Sequence, residues 1–180
     1  MATTREIPES HPLVRLFRGL TEHTFQAELG IADPGVVGYV ADLLTRFVPA
    51  RNLAALRDAD GRRMVEIASI LAEAERTADA ERRRECHRHV GDLTLFWTGV
   101  FPEAVGRIQA SGSAADQLIN YPRQGKRSYH VASTIDGPEA PVLRRLSAEF
   151  EVCAYGLSRV REEWERLPVS DIGPTRFLVA

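Results

Sequence analysis

The last third of the chain carries an apolar repeat that leaves little choice of structure. Leu143, Leu146, Phe150, Cys153, Leu157, Val160, Trp164 and Leu167 follow one another at spacings of three and four residues without a miss. A strand would repeat every two residues, so this pattern predicts a helix with a heptad seam, about 36 Å long at 1.5 Å per residue. Such a seam must be covered, by other helices of the same chain or by a second copy. Pro168 stops it, and residues 168–180 have no helical period, so they are expected to be extended or disordered, as are residues 1–9.

The rest of the chain reads as more helices to cover that seam. The first opens at Ser10 as N-cap with Pro12 in its tolerant first turn, and carries Leu13, Leu16, Phe17, Leu20, Thr24 and Phe25 on one face up to a stop at Gly30. Asp33-Pro34 launches a second, with Val36, Val37, Val40, Leu43, Leu44 and Phe47 apolar and Pro49 ending it. Residues 51–61 read as a helical turn and a loop, and a third helix is expected from about Arg62 to Arg76.

Asp79 caps a fourth helix, Ala80 to about Gly99, which is charged in its first half and apolar nearly all round from Leu93 to Phe101. A segment like that is central to a bundle or sits in an interface. Pro102 starts a short helix through Ile108, and Pro122 kinks or restarts the next one before Arg123 to Ser133. Asp136-Gly137-Pro138 is the last turn expected before the seam. The fold class that follows is all-α: one domain, residues 1–180, as a bundle of about six helices with a long heptad-patterned helix at its C-terminal end.

Composition narrows the function classes. Lys and Arg total 23 against 25 Asp and Glu, so no global positive field gathers nucleic acid. Cys86 and Cys153, the two thiols, fall on apolar helix positions, which suits a reducing compartment and a cytoplasmic location. Residues 1–20 mix Arg5, Glu6, Glu9, Arg15 and Arg18 into their apolar positions, unlike a secretory leader. The most apolar run, Leu93 to Phe101, spans roughly 14 Å as a helix against a hydrocarbon core of about 30 Å, so it does not cross a membrane.

Two clusters could carry chemistry. Glu85, His89 and Asp92 lie at steps of four and three along one flank of the fourth helix, the geometry of metal ligands or of a hydrogen-bonded polar cluster. The Glu-x-x-His pairs of a di-iron carboxylate bundle are absent. Arg123, Lys126, Arg127, Ser128 and Tyr129 gather donors after Pro122, where a helix start would offer backbone amides to an anion; a solvated basic face is the alternative.

Other motifs weaken on inspection. Asp58-Ala59-Asp60-Gly61 fails as a calcium loop, because its first and twelfth ligand positions would be Leu56 and Ile67, and it reads as a polar turn. Cys86 sits on an apolar stripe, where burial raises a thiol's pKa and blocks access. Gly-x-Ser-x-Gly, Cys-x-x-Cys and His-Glu-x-x-His patterns do not occur. No catalytic residue and no cofactor is implied.

The strings Arg57-Asp58-Ala59-Asp60-Gly61-Arg62, His89-Val90-Gly91-Asp92-Leu93-Thr94-Leu95-Phe96-Trp97-Thr98-Gly99-Val100-Phe101-Pro102-Glu103 and Gln124-Gly125-Lys126-Arg127-Ser128-Tyr129 resemble a family of uncharacterised soluble bacterial helical proteins. The resemblance runs from Leu29 to about Trp164 and implies a helical domain with no assigned activity or site. The expectation from the sequence is therefore a non-enzymatic helical protein that self-associates as a C2 homodimer or holds a protein partner. A small-ligand, anion or metal-dependent activity is the alternative.

Overall fold

The computed structural model describes residues 11–47, 52–53, 56–58 and 60–167. Among these the architecture is all-α, a multi-helix bundle with nine α-helices. Helix α1, Pro12–Glu22, is capped by the His11 side chain, which accepts from the Leu13 amide at 3.2 Å. It continues into a π-helical turn, His23–Glu28, and ends where Gly30 takes φ +68 and lets the Ile31 amide reach back to the Phe25 carbonyl at 2.8 Å. That left-handed geometry costs glycine little. Helix α2, Pro34–Phe47, starts as expected on Asp33, whose Oδ1 accepts from the Gly35 amide at 2.8 Å. The expected Ser10 cap, the Pro49 and Pro168 stops and both tails lie outside the described residues.

Helix α3, Ile67–Arg76, begins later than its apolar spacing suggests. Met64 is drawn instead into a small antiparallel bridge between Arg57 and Arg63, where its amide donates to the Leu56 carbonyl at 2.9 Å. The Asp58 turn holds this bridge closed, Oδ1 of Asp58 accepting from the amides of Asp60 at 3.0 Å and Arg62 at 2.8 Å. The first amides of α3 are capped from a distance: Asp116 accepts from Ala68 at 2.7 Å and from Ile67 at 3.3 Å.

Helix α4, Ala80–Val100, is capped by Asp79. It is followed by α5, Pro102–Ser111, α6, Ala114–Gln117, and α7, Tyr121–Thr134, whose cap Asn120 accepts from the Arg123 amide at 2.9 Å. Pro122 sits harmlessly in the first turn of α7 and marks a restart rather than a kink. Helix α4 is the central element, packed against α2, α3, α5, α7 and α9. Every residue from His89 to Phe96 is buried, so the start of the all-round apolar stretch lies inside the bundle, while Trp97, Thr98 and Phe101 are half-buried.

The heptad segment departs from expectation in one respect. It is two helices, α8, Ala140–Ala148, and α9, Phe150–Arg166, that meet at Glu149, where φ is -108 and ψ 22. No proline or glycine stands at the junction. Phe150 does, its ring filling the space beside Gly125 and lying 6.3 Å from the ring of Tyr129. The bend lets α8 pack on α7 and α2 while α9 crosses to α4 and α1. The seam stays continuous through it, for Leu143, Leu146, Phe150, Cys153 and Leu157 are fully buried and Trp164 packs edge-on against Phe17 at 5.1 Å.

Leu157 fills the closest point of this packing, because a methyl group at Gly99 would lie 2.7 Å from its Cβ. Leu157→Asp puts an unpartnered carboxylate there and is expected to cost several kcal/mol, abolishing the cooperative thermal transition. A circular dichroism melt indistinguishable from wild type would mean that the seam is not buried.

Candidate functional site

Asp92 is a carboxylate at the edge of the apolar half of α4, 1% exposed, so its charge requires donors from other helices. Three arrive from two directions. Helix α2 supplies Tyr39, whose hydroxyl donates to Oδ1 at 2.7 Å, and Arg46, whose Nη1 donates to Oδ2 at 2.9 Å. Helix α7 supplies Tyr129, whose hydroxyl donates to the same Oδ1 at 2.8 Å. Tyr39 and Arg46 are seven residues apart and share a face of α2; the guanidinium also lies over the Tyr39 ring, 5.3 Å from its centre.

The approach of Tyr129 depends on Gly91. A methyl group at that position would lie 2.6 Å from the tyrosine ring, so α7 reaches α4 this closely only where the side chain is missing. Gly125 does the same one turn away, leaving room for Phe150 and Thr94. The two tyrosine rings then stand edge to face at 6.4 Å.

Electrostatics keep the two phenols and the guanidinium protonated. Burial, then the neighbouring Asp92 charge, holds the Tyr39 and Tyr129 phenols well above their ordinary pKa, so both keep their protons and remain donors. Burial works against the charge of Arg46, but Asp92, Tyr39 and Tyr129 together more than offset it and the guanidinium stays firmly protonated. Arg88, half-buried nearby, pairs with Glu139 at 3.1 Å.

The three candidate metal ligands do not converge. Glu85 turns outward to Arg82 at 2.6 Å, and His89 turns toward the Leu53 carbonyl at 3.3 Å and the edge of Phe47, leaving Asp92 alone with its tyrosines and arginine. Among the described residues no three His, Cys, Asp or Glu side chains gather as a metal ion would require. They share a helix flank, but each is claimed by a different neighbour.

The candidate anion residues also separate. Tyr129 points inward to Asp92, Ser128 is buried and accepts from Gln124 at 3.0 Å, and Lys126 pairs with Glu151 at 2.9 Å. Arg123 and Arg127 are exposed, and the amide at the start of α7 is taken by Asn120. Arg127 and Arg83 instead reach the field of His87, whose pKa is lowered first by burial and then by those two charges. The thiols are shielded: burial raises Cys86 and pushes Cys153 up to about 12.

Tyr39 and Arg46 lie outside both clusters that the sequence spacing marks, although a signal for them exists. A carboxylate bordering a helix that is apolar all round needs donors, and Tyr39, Arg46 and Tyr129 are polar residues on otherwise apolar faces. Known protein families, curated proteins and solved structures yield no match to this chain.

The carboxylate is therefore expected to act as a structural tie. Asp92→Asn should lower stability by about 2 to 4 kcal/mol, toward the lower figure because Arg46, with 35% of its side chain exposed, shares its charge with water. Tyr129→Phe should cost about 1 kcal/mol by removing one hydrogen bond. Urea denaturation measures both, and an Asp92→Asn protein as stable as wild type would remove the tie.

His89 gives a pH signature. Burial lowers its pKa below the ordinary 6.5, so the unfolded chain binds a proton that the folded one resists. Stability contributed by the neutral ring is complete above about pH 6.5 and is lost as pH falls toward the lowered value. Between pH 7.5 and 5.5 the melting temperature should fall less in His89→Gln than in wild type; equal falls would place the imidazole in solvent.

Proposed function

We propose that this chain is a non-enzymatic binding protein of the cytoplasm, acting through its surface and not through bond-making chemistry of its own. One observation carries the reading: both oxygens of the buried carboxylate at the centre of the bundle are occupied by the chain's own donors, at 2.7, 2.8 and 2.9 Å. A general acid or base needs a face open to substrate and a pKa near the working pH. Asp92 has no such face, and Tyr39 and Tyr129 hold their protons. The buried thiols fit a reducing compartment. Among the described residues no helix is long and apolar enough to cross a membrane.

A binding role draws on the outer face of α9. The heptad seam is consumed inside the bundle, but Val152 and Tyr155, three residues apart, are 44% and 57% exposed on the opposite side. Tyrosine is favoured at protein interfaces because it brings apolar area and a hydroxyl at low entropic cost. A second copy is the partner we propose, docking α9 on α9 about a two-fold axis.

Light scattering at high micromolar concentration should give twice the chain mass, and Tyr155→Glu should return the mass to that of one chain with an unchanged melting temperature. A wild-type protein that is monomeric throughout that range contradicts self-association. A dimer that survives Tyr155→Glu contradicts the α9 face.

A further inference from the structure

Helix α5 is a ten-residue helix with no buried residue. This is unusual for a helix carrying Val105 and Ile108 within a bundle, since most helical stability comes from packing an apolar face. The face that Pro102, Val105 and Gln109 present, at spacings of three and four, packs only partly against α4, with Val105 half-buried on the core. It borders a cleft of about 360 Å³, whose other walls are Thr98 near the end of α4 and the segment from Ile119 to Pro122 that opens α7. That volume falls in the range of small-ligand sites.

The lining is amphiphilic and carries no formal charge. Pro102, Val105, Ile119 and Pro122 supply apolar wall, while Thr98, Gln109, Asn120 and Tyr121 supply polar groups. The Thr98 hydroxyl is buried without a hydrogen-bond partner among the described residues. Gln109 spends its amide nitrogen on the Ile119 carbonyl and Asn120 spends its Oδ1 on the Arg123 amide, which leaves one amide oxygen and one amide NH2 uncommitted. Tyr121, buried and with its phenol pushed up to about 12 by burial and then by Asp116, keeps its proton and remains a donor.

We propose that this cleft binds a small neutral molecule that combines an apolar or aromatic body with a hydroxyl or amide group. A charged ligand would leave water for a site with no counter-charge, which is unfavourable. The inference goes beyond the reading of the buried carboxylate and does not depend on it, because Thr98 lies six residues along α4 from Asp92, about 9 Å away.

The test is an NMR titration of the full chain with phenol, and with benzoate and benzylammonium as charged probes of the same ring. Phenol should shift the amide signals of Thr98, Val105, Gln109 and Tyr121 saturably, with at least tenfold tighter binding than either charged probe. Val105→Phe, at a half-buried position open to the cleft and checked for an unchanged thermal melt, should abolish the saturable shift by filling the cleft; Tyr121→Phe should weaken it several-fold. Non-saturable shifts, equal response to the three probes, or full phenol binding by Val105→Phe would each overturn the proposal.

Discussion

An ionised carboxylate in a helix-bundle core cannot be left alone, and the arrangement of this protein follows from how Asp92 is satisfied. Isolated burial of such a charge would cost more than the whole folding free energy of an ordinary domain. The carboxylate is tolerated because Tyr39, Arg46 and Tyr129 meet it at hydrogen-bond distance from α2 and α7. Those bonds fix the register of three helices at once. A slip of one turn in α2 or α7 moves a donor about 5.4 Å and strands the charge, so the cluster discriminates the native packing from alternatives that apolar contacts alone would tolerate. Whether it adds net stability over an apolar core is a separate matter, and buried ion pairs often do not.

Close packing around the cluster makes it possible. The ring of Tyr129 occupies the space above Gly91, Phe150 occupies the space beside Gly125, and the bend at Glu149 carries the chain from α8 to α9 around that same aromatic group. The helices that would otherwise have presented a sticky seam are thereby spent within one chain. What reaches the surface is modest: Val152 and Tyr155 on the outside of α9, the isolated Val65 and Leu118, and a cleft beside a helix with no fully buried residue.

Features governed by short-range chemistry were legible in the sequence. Asp33 and Asp79 cap helices where side-chain oxygens stand before apolar periods, Pro102 opens α5, the Asp58 turn closes on its own amides, and the heptad positions from Leu143 to Val160 are buried. Features governed by distant partners were not. Nothing near residue 149 breaks a helix; the bend comes from where Phe150 fits. Met64 keeps helical spacing with Ile67, yet the Leu56 carbonyl draws it into a bridge. Glu85, His89 and Asp92 share a flank, but which of them is buried, and against what, depends on α2 and α7. Tyr129 looked like part of a basic surface segment because its neighbours are polar, while its inward direction depends on the glycine opposite.

The central claim is that Asp92 and its donors act as one unit joining α2, α4 and α7, and a double-mutant cycle measures this directly. Asp92→Asn, Arg46→Met and the combined variant would be denatured in urea alongside wild type. If the groups act as a unit, the two single losses overlap, and the combined variant is destabilised by less than their sum, by at least about 1 kcal/mol. Additivity within about 0.5 kcal/mol would contradict the account, because it would mean that each side chain contributes without the other.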